Sequence, residues 1–268
     1  MKEPLLASVL TIAGSDSGGG AGIQADLKTF AAHRVHGLSA IAALTAQNTR
    51  AVTAVEVPTT AFLRAQIDAC FDDFDIGAVK LGMLATAEVI HAVADALEQH
   101  APRHVVLDPV MVATSGARLL EPAALTALRT RLLPLATLVT PNLPEAELLL
   151  GHAIESHDAM QAACRALLGT GVSAVLLKGG HLADDGDVID LFADASGVTS
   201  YRHPRLRLQA HGTGCSLASA VAANLCRGLS LIEACRAAGD YVHEALRLGY
   251  RPGRSEIVVL DHFGAAPR

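Results

Sequence analysis

In the segment His211–Cys215, a thiol follows two glycines and a threonine, directly before a long apolar run. A glycine-rich turn that opens a helix presents unpaired backbone amides, which suit a phosphate or a developing anion. The helix dipole also favours a thiolate, so the pattern predicts a lowered pKa for the Cys215 thiol. A helix that begins beside a buried structural cysteine explains the same residues equally well.

Lysine is scarce in this chain, which makes the position of each lysine informative. Of 21 basic residues, four are lysines: Lys2, Lys28, Lys80 and Lys178. Lys178 ends the apolar run that starts at Val175, and two glycines follow it. A lysine at the end of a buried strand is predicted to point into the crevice where ligands of open parallel sheets bind. A surface lysine is the alternative.

Side chains with oxygen donors follow two further strand-like runs. Asp108 follows Val105–Leu107, and Asn142 and Glu145 follow a later run. Carboxylate and amide oxygens are ligands for Mg²⁺, which these three side chains are predicted to hold directly or through water. A turn at Asp108, and ordinary helix capping beside Pro144, are the alternatives.

A glycine-rich loop, Gly14–Gly22, separates the first predicted strand from the first predicted helix. Its glycines allow the backbone to approach a ligand closely, although a flexible turn has the same composition. The loop is neither a Walker A loop nor a GxGxxG fingerprint. Together, these loops at successive strand ends indicate nucleotide or phosphate chemistry.

These loops need a fold that gathers strand ends, and the remaining sequence predicts one. Short aliphatic runs alternate with helical patterns, which indicates a three-layer α/β/α fold with a mainly parallel central sheet and helices on both faces. The predicted strands are Leu5–Ala13, Leu38–Ala46, Ala78–Leu81, His104–Leu107, Leu138–Thr140, Ala174–Leu177 and a hairpin of Asp187–Ala193 with Val198–His203. The predicted helices are Ile23–Arg34, Thr60–Asp73, Ala87–His100, Pro122–Leu133, Asp158–Leu168, Gly214–Arg227 and Leu231–Leu248.

Composition narrows the class of protein. The chain has 268 residues, 51% of them hydrophobic and 18% charged, which excludes a disordered or fibrous protein. A net charge of −6 argues against nucleic acid as the main partner, and no apolar run is long enough for a membrane span. Five scattered cysteines without metal-ligand spacing indicate reduced thiols in a cytoplasmic protein. No linker or repeat interrupts the chain, so we expect one domain over residues 1–268.

At this point the sequence resembles the hydroxymethylpyrimidine/phosphomethylpyrimidine kinases of thiamine synthesis, which are members of the ribokinase-like superfamily. The matching segments follow the family's order over nearly the whole chain. They are Ala13–Phe30, Thr45–Arg50, Lys80–Leu84, Val106–Met111, Thr140–Ala146, Leu177–Leu182 and His211–Cys215. The first and last of these segments are the most specific.

The resemblance implies ATP- and Mg²⁺-dependent phosphorylation of 4-amino-5-hydroxymethyl-2-methylpyrimidine (HMP), and then of HMP phosphate to the diphosphate, by a homodimer. It implies a substrate pocket formed by Gly14, Asp26, Gln47, Met83 and Val110. It also implies catalysis by Cys215 and Lys178 with the amides of Gly212, Thr213 and Gly214, and nucleotide binding by Lys178, Asn142 and Thr213.

In this interpretation Cys215 stands where most ribokinase-like enzymes carry an aspartate base, and it takes or guides the proton of the hydroxymethyl group. The amide of Gln47 offers donors and an acceptor to an aminopyrimidine edge. Three rival functions remain. They are a pyridoxal or pyridoxine kinase of the same superfamily, a non-catalytic pyrimidine-binding protein, and a Rossmann dehydrogenase, which the spacing of the glycine loop disfavours.

Overall fold

The computed structural model describes residues 7–111, 120–182 and 186–267. Within these ranges the strands are β1 (Ser8–Asp16), β2 (His36–Gln47), β3 (Val52–Glu56), β4 (Ile76–Leu81), β5 (Val105–Leu107), β6 (Leu138–Val139), β7 (Val175–Leu177), β8 (Val188–Asp194), β9 (Gly197–His203), β10 (Ala210–His211) and β11 (Val258–Val259). The helices are α1 (Gly22–Ala32), α2 (Thr60–Asp73), α3 (Ala87–His100), α4 (Pro122–Ala127), α5 (Leu143–Leu150), α6 (His157–Leu168), α7 (Thr213–Cys226) and α8 (Leu231–Arg247).

The described strands β1 to β9 form one sheet in the order β3-β2-β1-β4-β5-β6-β7-β8-β9. Strands β2, β1, β4, β5, β6 and β7 are parallel, and β3, β8 and β9 add antiparallel edges. The parallel part is buried on both faces, which explains why β5 and β7 consist of three consecutive apolar residues each. The predicted mainly parallel sheet and the β8–β9 hairpin are confirmed.

Helices cover both faces of the sheet, because side chains of each strand alternate between two apolar cores. In β1, Leu10 and Ile12 face one core, which is shared with α2, α3, α4, α5 and α6. Val9 faces the other core, where Phe30 of α1 and Val221 of α7 pack together with α8. The predicted α/β/α layering is therefore confirmed. Among the described helices, none combines the length and hydropathy that a membrane span requires.

Several element predictions need correction. β1 extends past Ala13 to Asp16, because the glycine loop begins as strand paired with β2. Leu5 and Leu6, the predicted start of that strand, lie outside the described residues. The helix predicted over Pro122–Leu133 keeps α geometry to Ala127 and continues as a π-helical turn. Strand β3 was not predicted because it is a mostly exposed edge, without the apolar pattern of a buried strand.

The C-terminal segment folds back over the first turn of α7. Strand β11 pairs with β10 in a small parallel sheet, and His262 follows a few residues later. His262 is 4% exposed, and its Nε2 lies 3.0 Å from the hydroxyl of Ser216 in α7. The hydroxyl of Tyr241 in α8 donates to the His262 carbonyl at 3.2 Å. His262 thus joins the C-terminal segment to α7 and α8.

This histidine makes the fold sensitive to acid. Burial lowers the pKa of His262 to about 4, whereas an unfolded chain binds the same proton near pH 6.5. The unfolded state therefore takes up more protons between these values, so the free energy of unfolding falls as pH drops from about 6.5 to 4, by about 3 kcal/mol at most. We expect His262→Gln to flatten this decline in urea denaturation curves. Equal slopes for both proteins would contradict the assignment.

Candidate active site

A cavity of about 650 Å³ opens where the carboxyl ends of the parallel strands meet. This is the position at which open α/β sheets bind ligands. Every predicted site residue except Asp26 borders the cavity: Gly14, Gln47, Met83, Asp108, Val110, Asn142, Glu145, Lys178, Gly212, Thr213, Gly214 and Cys215. The fold therefore gathers residues that are up to about two hundred positions apart in the sequence.

Asp26 lies beneath the cavity, without exposed surface. Its carboxylate accepts two hydrogen bonds of 2.9 Å from the ammonium of Lys80, one of 2.6 Å from Thr11 and one of 2.7 Å from Ser219. All of its oxygens are thus engaged by protein groups. Asp26 therefore lies behind the lining residues and does not itself border the cavity.

The glycine loop is held in place by one carboxylate. Asp16 accepts hydrogen bonds from the amides of Gly18 at 2.7 Å, Gly20 at 3.0 Å and Ala21 at 2.8 Å. From the opposite side, Lys28 donates to the Gly19 carbonyl at 2.7 Å. These three amides bind the protein's own anion, so the loop shapes the cavity wall and does not supply them to a phosphate.

Gln47 is fixed at the wall by its neighbours. The hydroxyl of Ser17 accepts from the backbone amide of Gln47 and donates to the backbone carbonyl of Gln47, both at 2.8 Å. The hydroxyl of Thr45 donates to the side-chain carbonyl oxygen of Gln47 at 3.2 Å. A Cβ on Gly14 would lie 3.0 Å from the sulfur of Met83, so the glycine makes room for this second wall residue. Gln47 and Met83 thus border the same part of the cavity as Gly14.

Lys178 stands between two carboxylates at the other half of the cavity. Its ammonium lies 3.3 Å from Asp108 and 3.9 Å from Glu145. Burial raises the pKa of Glu145 to about 7, with repulsion from Asp108 adding to it and Lys178 opposing it. When all three groups are ionised, two carboxylates and one ammonium give this half of the cavity a net negative charge.

Asn142 and Glu145 form the helix cap that was predicted as the alternative to a metal site. The Asn142 side chain accepts from the Glu145 amide at 2.9 Å, and the Glu145 carboxylate accepts from the Asn142 amide at 2.8 Å. This reciprocal pair is a capping box at the start of α5. Both residues also border the cavity.

The predicted amide cup is present at the start of α7. Gly212 has φ +79°, and a Cβ there would lie 2.0 Å from the Gly20 carbonyl oxygen, so no other residue fits without moving the glycine loop. The helix begins at Thr213, and its first amides have no partner within the helix. A Cβ on Gly214 would lie 3.0 Å from the ammonium of Lys178. The ammonium of Lys178 therefore lies beside the first turn of α7.

The prediction of a lowered pKa for Cys215 is wrong for this state of the protein. Burial raises the pKa of Cys215 to about 12, and the carboxylates of Asp108 and Asp26 act in the same direction. Lys80 and the amide of Gly22 lower it by less. The sequence placed the cysteine correctly in the first turn of the helix, but it did not show how much protein surrounds the sulfur or which acids lie beside it.

Other functional residues were not predicted. Lys80 lies fully buried within β4 and borders the cavity, and Asp190 holds the amide of Gly179 at 2.8 Å. At the far end His203 stacks on His243 and contacts Asp240 at 2.9 Å. The scarcity of lysine was a usable signal for Lys80, since a lysine inside an apolar strand needs a buried partner. No sequence pattern marked the others.

Removing the Asp16 carboxylate should loosen the glycine loop. Asp16→Ala leaves three amides without their shared acceptor, the Gly20 amide at a buried position, so we expect a loss of about 2–4 kcal/mol in the free energy of unfolding. Hydrogen exchange should become faster at Gly18, Gly20 and Ala21. The exposed Asp72 offers a matched control, because Asp72→Ala should change neither quantity. Unchanged exchange in Asp16→Ala would exclude the proposed anchoring.

Comparison with known proteins supports a kinase. Residues 16–259 match the family model described as phosphomethylpyrimidine kinase. A hydroxymethylpyrimidine/phosphomethylpyrimidine kinase of Rhizobium meliloti is 52% identical over 261 residues, which cover 94% of this chain and 97% of the relative.

Solved structures agree with this relationship. A phosphomethylpyrimidine kinase of Clostridium difficile is 42% identical, with a TM-score of 0.80 over 89% of this chain and 99% of the other. A pyridoxal kinase of Staphylococcus aureus in complex with AMP-PCP and pyridoxal is 32% identical, with a TM-score of 0.89 over 97% of this chain and 95% of the other. Both structures share the α/β/α fold found here. The chain belongs to the phosphomethylpyrimidine kinase family.

Proposed function

We propose that this chain is an ATP-dependent phosphotransferase that phosphorylates HMP and then HMP phosphate in thiamine biosynthesis. The observation that carries the proposal is the division of one cavity into two halves. Gln47 and Met83 line an acceptor half, Lys178 and the start of α7 line a phosphate half, and Cys215 borders the same cavity. Phosphoryl transfer depends mainly on holding two reactants in line within such a site.

The acceptor half suits a small flat heterocycle. The backbone of Gln47 is held on both sides by Ser17, so its amide meets a ligand in a fixed position. An amide pairs with an aminopyrimidine edge through one donor and one acceptor. Met83 and Val110 supply apolar walls beside Gly14. Asp26 contributes to this half through Lys80 and not by touching the substrate.

The phosphate half suits the anionic chain of a nucleotide. Lys178 can exchange one of its carboxylate contacts for phosphate oxygens, and the amides from Gly212 to Cys215 face the same region. Charge spread over the transferring phosphoryl group is stabilised by donors already in place. At the far end, the stacked rings of His203 and His243 border space for the nucleotide's base.

The residues present also fit Mg²⁺ bound together with phosphate. Among the described residues, no three histidine, cysteine or acidic side chains gather closely enough to hold a metal alone. Mg²⁺ commonly takes one or two carboxylates and completes its shell with water and phosphate oxygens. Asp108, Asn142 and Glu145 would hold it here, and the ion would neutralise charge on the phosphates.

Cys215 is the group placed to take or guide the proton of the hydroxymethyl group. Because burial raises the pKa of Cys215, the sulfur is a thiol near neutral pH and in that form can guide the proton but not take it, so positioning carries most of the rate. The second transfer starts from a phosphate oxygen that is already largely ionised and depends less on Cys215. We further propose that the enzyme is a single catalytic domain, acts in the cytoplasm and forms a homodimer.

A pyridoxal kinase is the second candidate function. The TM-score of 0.89 to the pyridoxal kinase of S. aureus exceeds the 0.80 to the phosphomethylpyrimidine kinase of C. difficile, so backbone shape does not separate the two substrates. The difference must come from wall residues, and Gln47 is the side chain that favours the aminopyrimidine.

A mass-spectrometric time course tests the proposal. The protein is incubated with ATP and Mg²⁺ and, in separate tubes, with HMP, HMP phosphate or pyridoxal. We expect HMP to become the monophosphate and then the diphosphate, with pyridoxal converted slowly. Pyridoxal phosphate as the main product would favour the second candidate, and no product from folded protein would indicate a pyrimidine-binding protein without catalysis.

Lys178 should affect turnover and not recognition of the pyrimidine. In Lys178→Met the phosphate half loses its cation, so we expect kcat to fall by about 100-fold or more. The Kd for HMP, measured by calorimetry, should change by less than about threefold because Gln47 and Met83 are untouched. Arg129→Met, at an exposed position, is the control. Loss of HMP binding in Lys178→Met would show that the lysine is structural.

A further inference from the structure

The second apolar core contains a polar group that joins four elements. Asp26 of α1 receives hydrogen bonds from Lys80 of β4, Thr11 of β1 and Ser219 of α7. Thr11 and Lys80 are direct neighbours across the paired strands. All four residues are without exposed surface or nearly so. Because its ammonium has no exposed surface, Lys80 makes no direct contact with a ligand, and its charge acts first on the groups that lie between it and the cavity.

Cys215 is such a group. It precedes Ser219 by one turn of α7, and therefore lies on the same face of the helix, nearer to the cavity. On the opposing helix, Gly22 precedes Asp26 by one turn of α1, and its amide donates to the sulfur of Cys215. The two helices thus present two stacked layers, with Asp26 and Ser219 below and Gly22 and Cys215 above. Lys80 reaches the lower layer from the sheet.

We propose that Lys80, fixed by Asp26, is a positioning residue that stabilises negative charge on the sulfur of Cys215. The catalytic meaning of this assignment rests on the proposed role of Cys215 in HMP phosphorylation. The electrostatic effect itself does not depend on any substrate.

The charges that face the sulfur come from four elements. Lys80 approaches from β4, Lys178 from the end of β7, Asp108 from the end of β5 and Asp26 from α1. Lys80 is the strongest of the groups that favour the thiolate, while the two carboxylates oppose it. Lys80 remains a cation despite its burial, because attraction to Asp26 raises its pKa. The ion pair therefore acts as a fixed dipole, whose positive end affects the thiol more strongly than its negative end does.

The position of this charge is fixed by packing as well as by hydrogen bonds. A Cβ on Gly82 would lie 2.8 Å from the Lys80 nitrogen and 2.9 Å from the Cβ of Ala13. The ammonium thus fills the space beside Gly82, and moving it would break contacts with Asp26. A cation held this firmly responds little to solvent, which makes it effective on a neighbouring sulfur.

Alkylation of Cys215 measures the effect without catalysis. Lys80→Met/Asp26→Asn removes both charges and keeps one acceptor oxygen for Thr11 or Ser219, while the asparagine NH2 can donate to the other hydroxyl. At pH 8.5, without added Mg²⁺, iodoacetamide should modify Cys215 about 3- to 30-fold more slowly in this variant than in the wild type, as followed by mass spectrometry of the Cys215 peptide. Cys70 and Cys226, which are partly exposed, serve as internal controls. Ser219→Ala, which changes no charge, should leave the rate unaltered.

Equal rates in the wild type and the double variant would overturn the proposal. If Lys80→Met/Asp26→Asn does not fold, Lys80→Met/Asp26→Leu replaces the ion pair with apolar groups and carries the same expectation.

A mutant cycle separates positioning from a structural effect. The double variant should lower kcat for HMP phosphorylation without changing the KM for HMP, and should cause no further loss in a Cys215→Ala background. Equal losses in both backgrounds would mean that Lys80 acts only on the fold, against the proposal. A wild type that fails to phosphorylate HMP would refute the proposed function, and the alkylation result would still decide the charge effect.

Discussion

An ion pair buried between the sheet and two helices determines where the site can form. Taking Asp26 and Lys80 out of water costs several kcal/mol for each ion, and this is offset only if the charges meet with good geometry and all remaining oxygens are bonded. Thr11 and Ser219 complete that bonding. The pair therefore fixes α1, α7, β1 and β4 relative to each other, and the loops that line the cavity start from these elements.

The phosphate half follows the opposite arrangement. Lys178 shares its charge between Asp108 and Glu145, and burial raises the pKa of Glu145 toward neutrality. The charges of Lys178, Asp108 and Glu145 do not sum to zero, whereas the charges of Asp26 and Lys80 below the cavity do. A nucleotide with its cation would bring charges of both signs into this half and complete the balance. The charges in the core of the molecule are thus neutralised by protein groups, whereas those in the phosphate half are neutralised only when a reactant binds.

Sequence patterns predicted the layers, the parallel sheet and the strand-end loops that carry Lys178 and the start of α7, because strand ends and glycine turns are local signals. Gln47, Met83 and Val110 were assigned through the family resemblance. Asp26 was assigned to the pocket through family resemblance, and its saturation by Lys80 and Ser219 depends on contacts distant in sequence. The state of Cys215 was mispredicted for a related reason. A helix start is visible in the sequence, but the desolvation of a sulfur and the acids beside it arise only from packing. Strand β3 was not predicted because an exposed edge strand carries little hydrophobic pattern.

The two glycine loops touch, although nearly two hundred residues separate them. A Cβ on Gly212 would strike the carbonyl of Gly20, and a Cβ on Gly20 would lie 2.9 Å from Val259. Three distant segments therefore share one contact with no spare volume. For anyone who wishes to redesign the acceptor specificity of this scaffold, the loops are a poor place to begin, since a change in one is transmitted to the phosphate half. The side chains of Gln47, Met83 and Val110 take no part in this three-way contact and offer the better starting library.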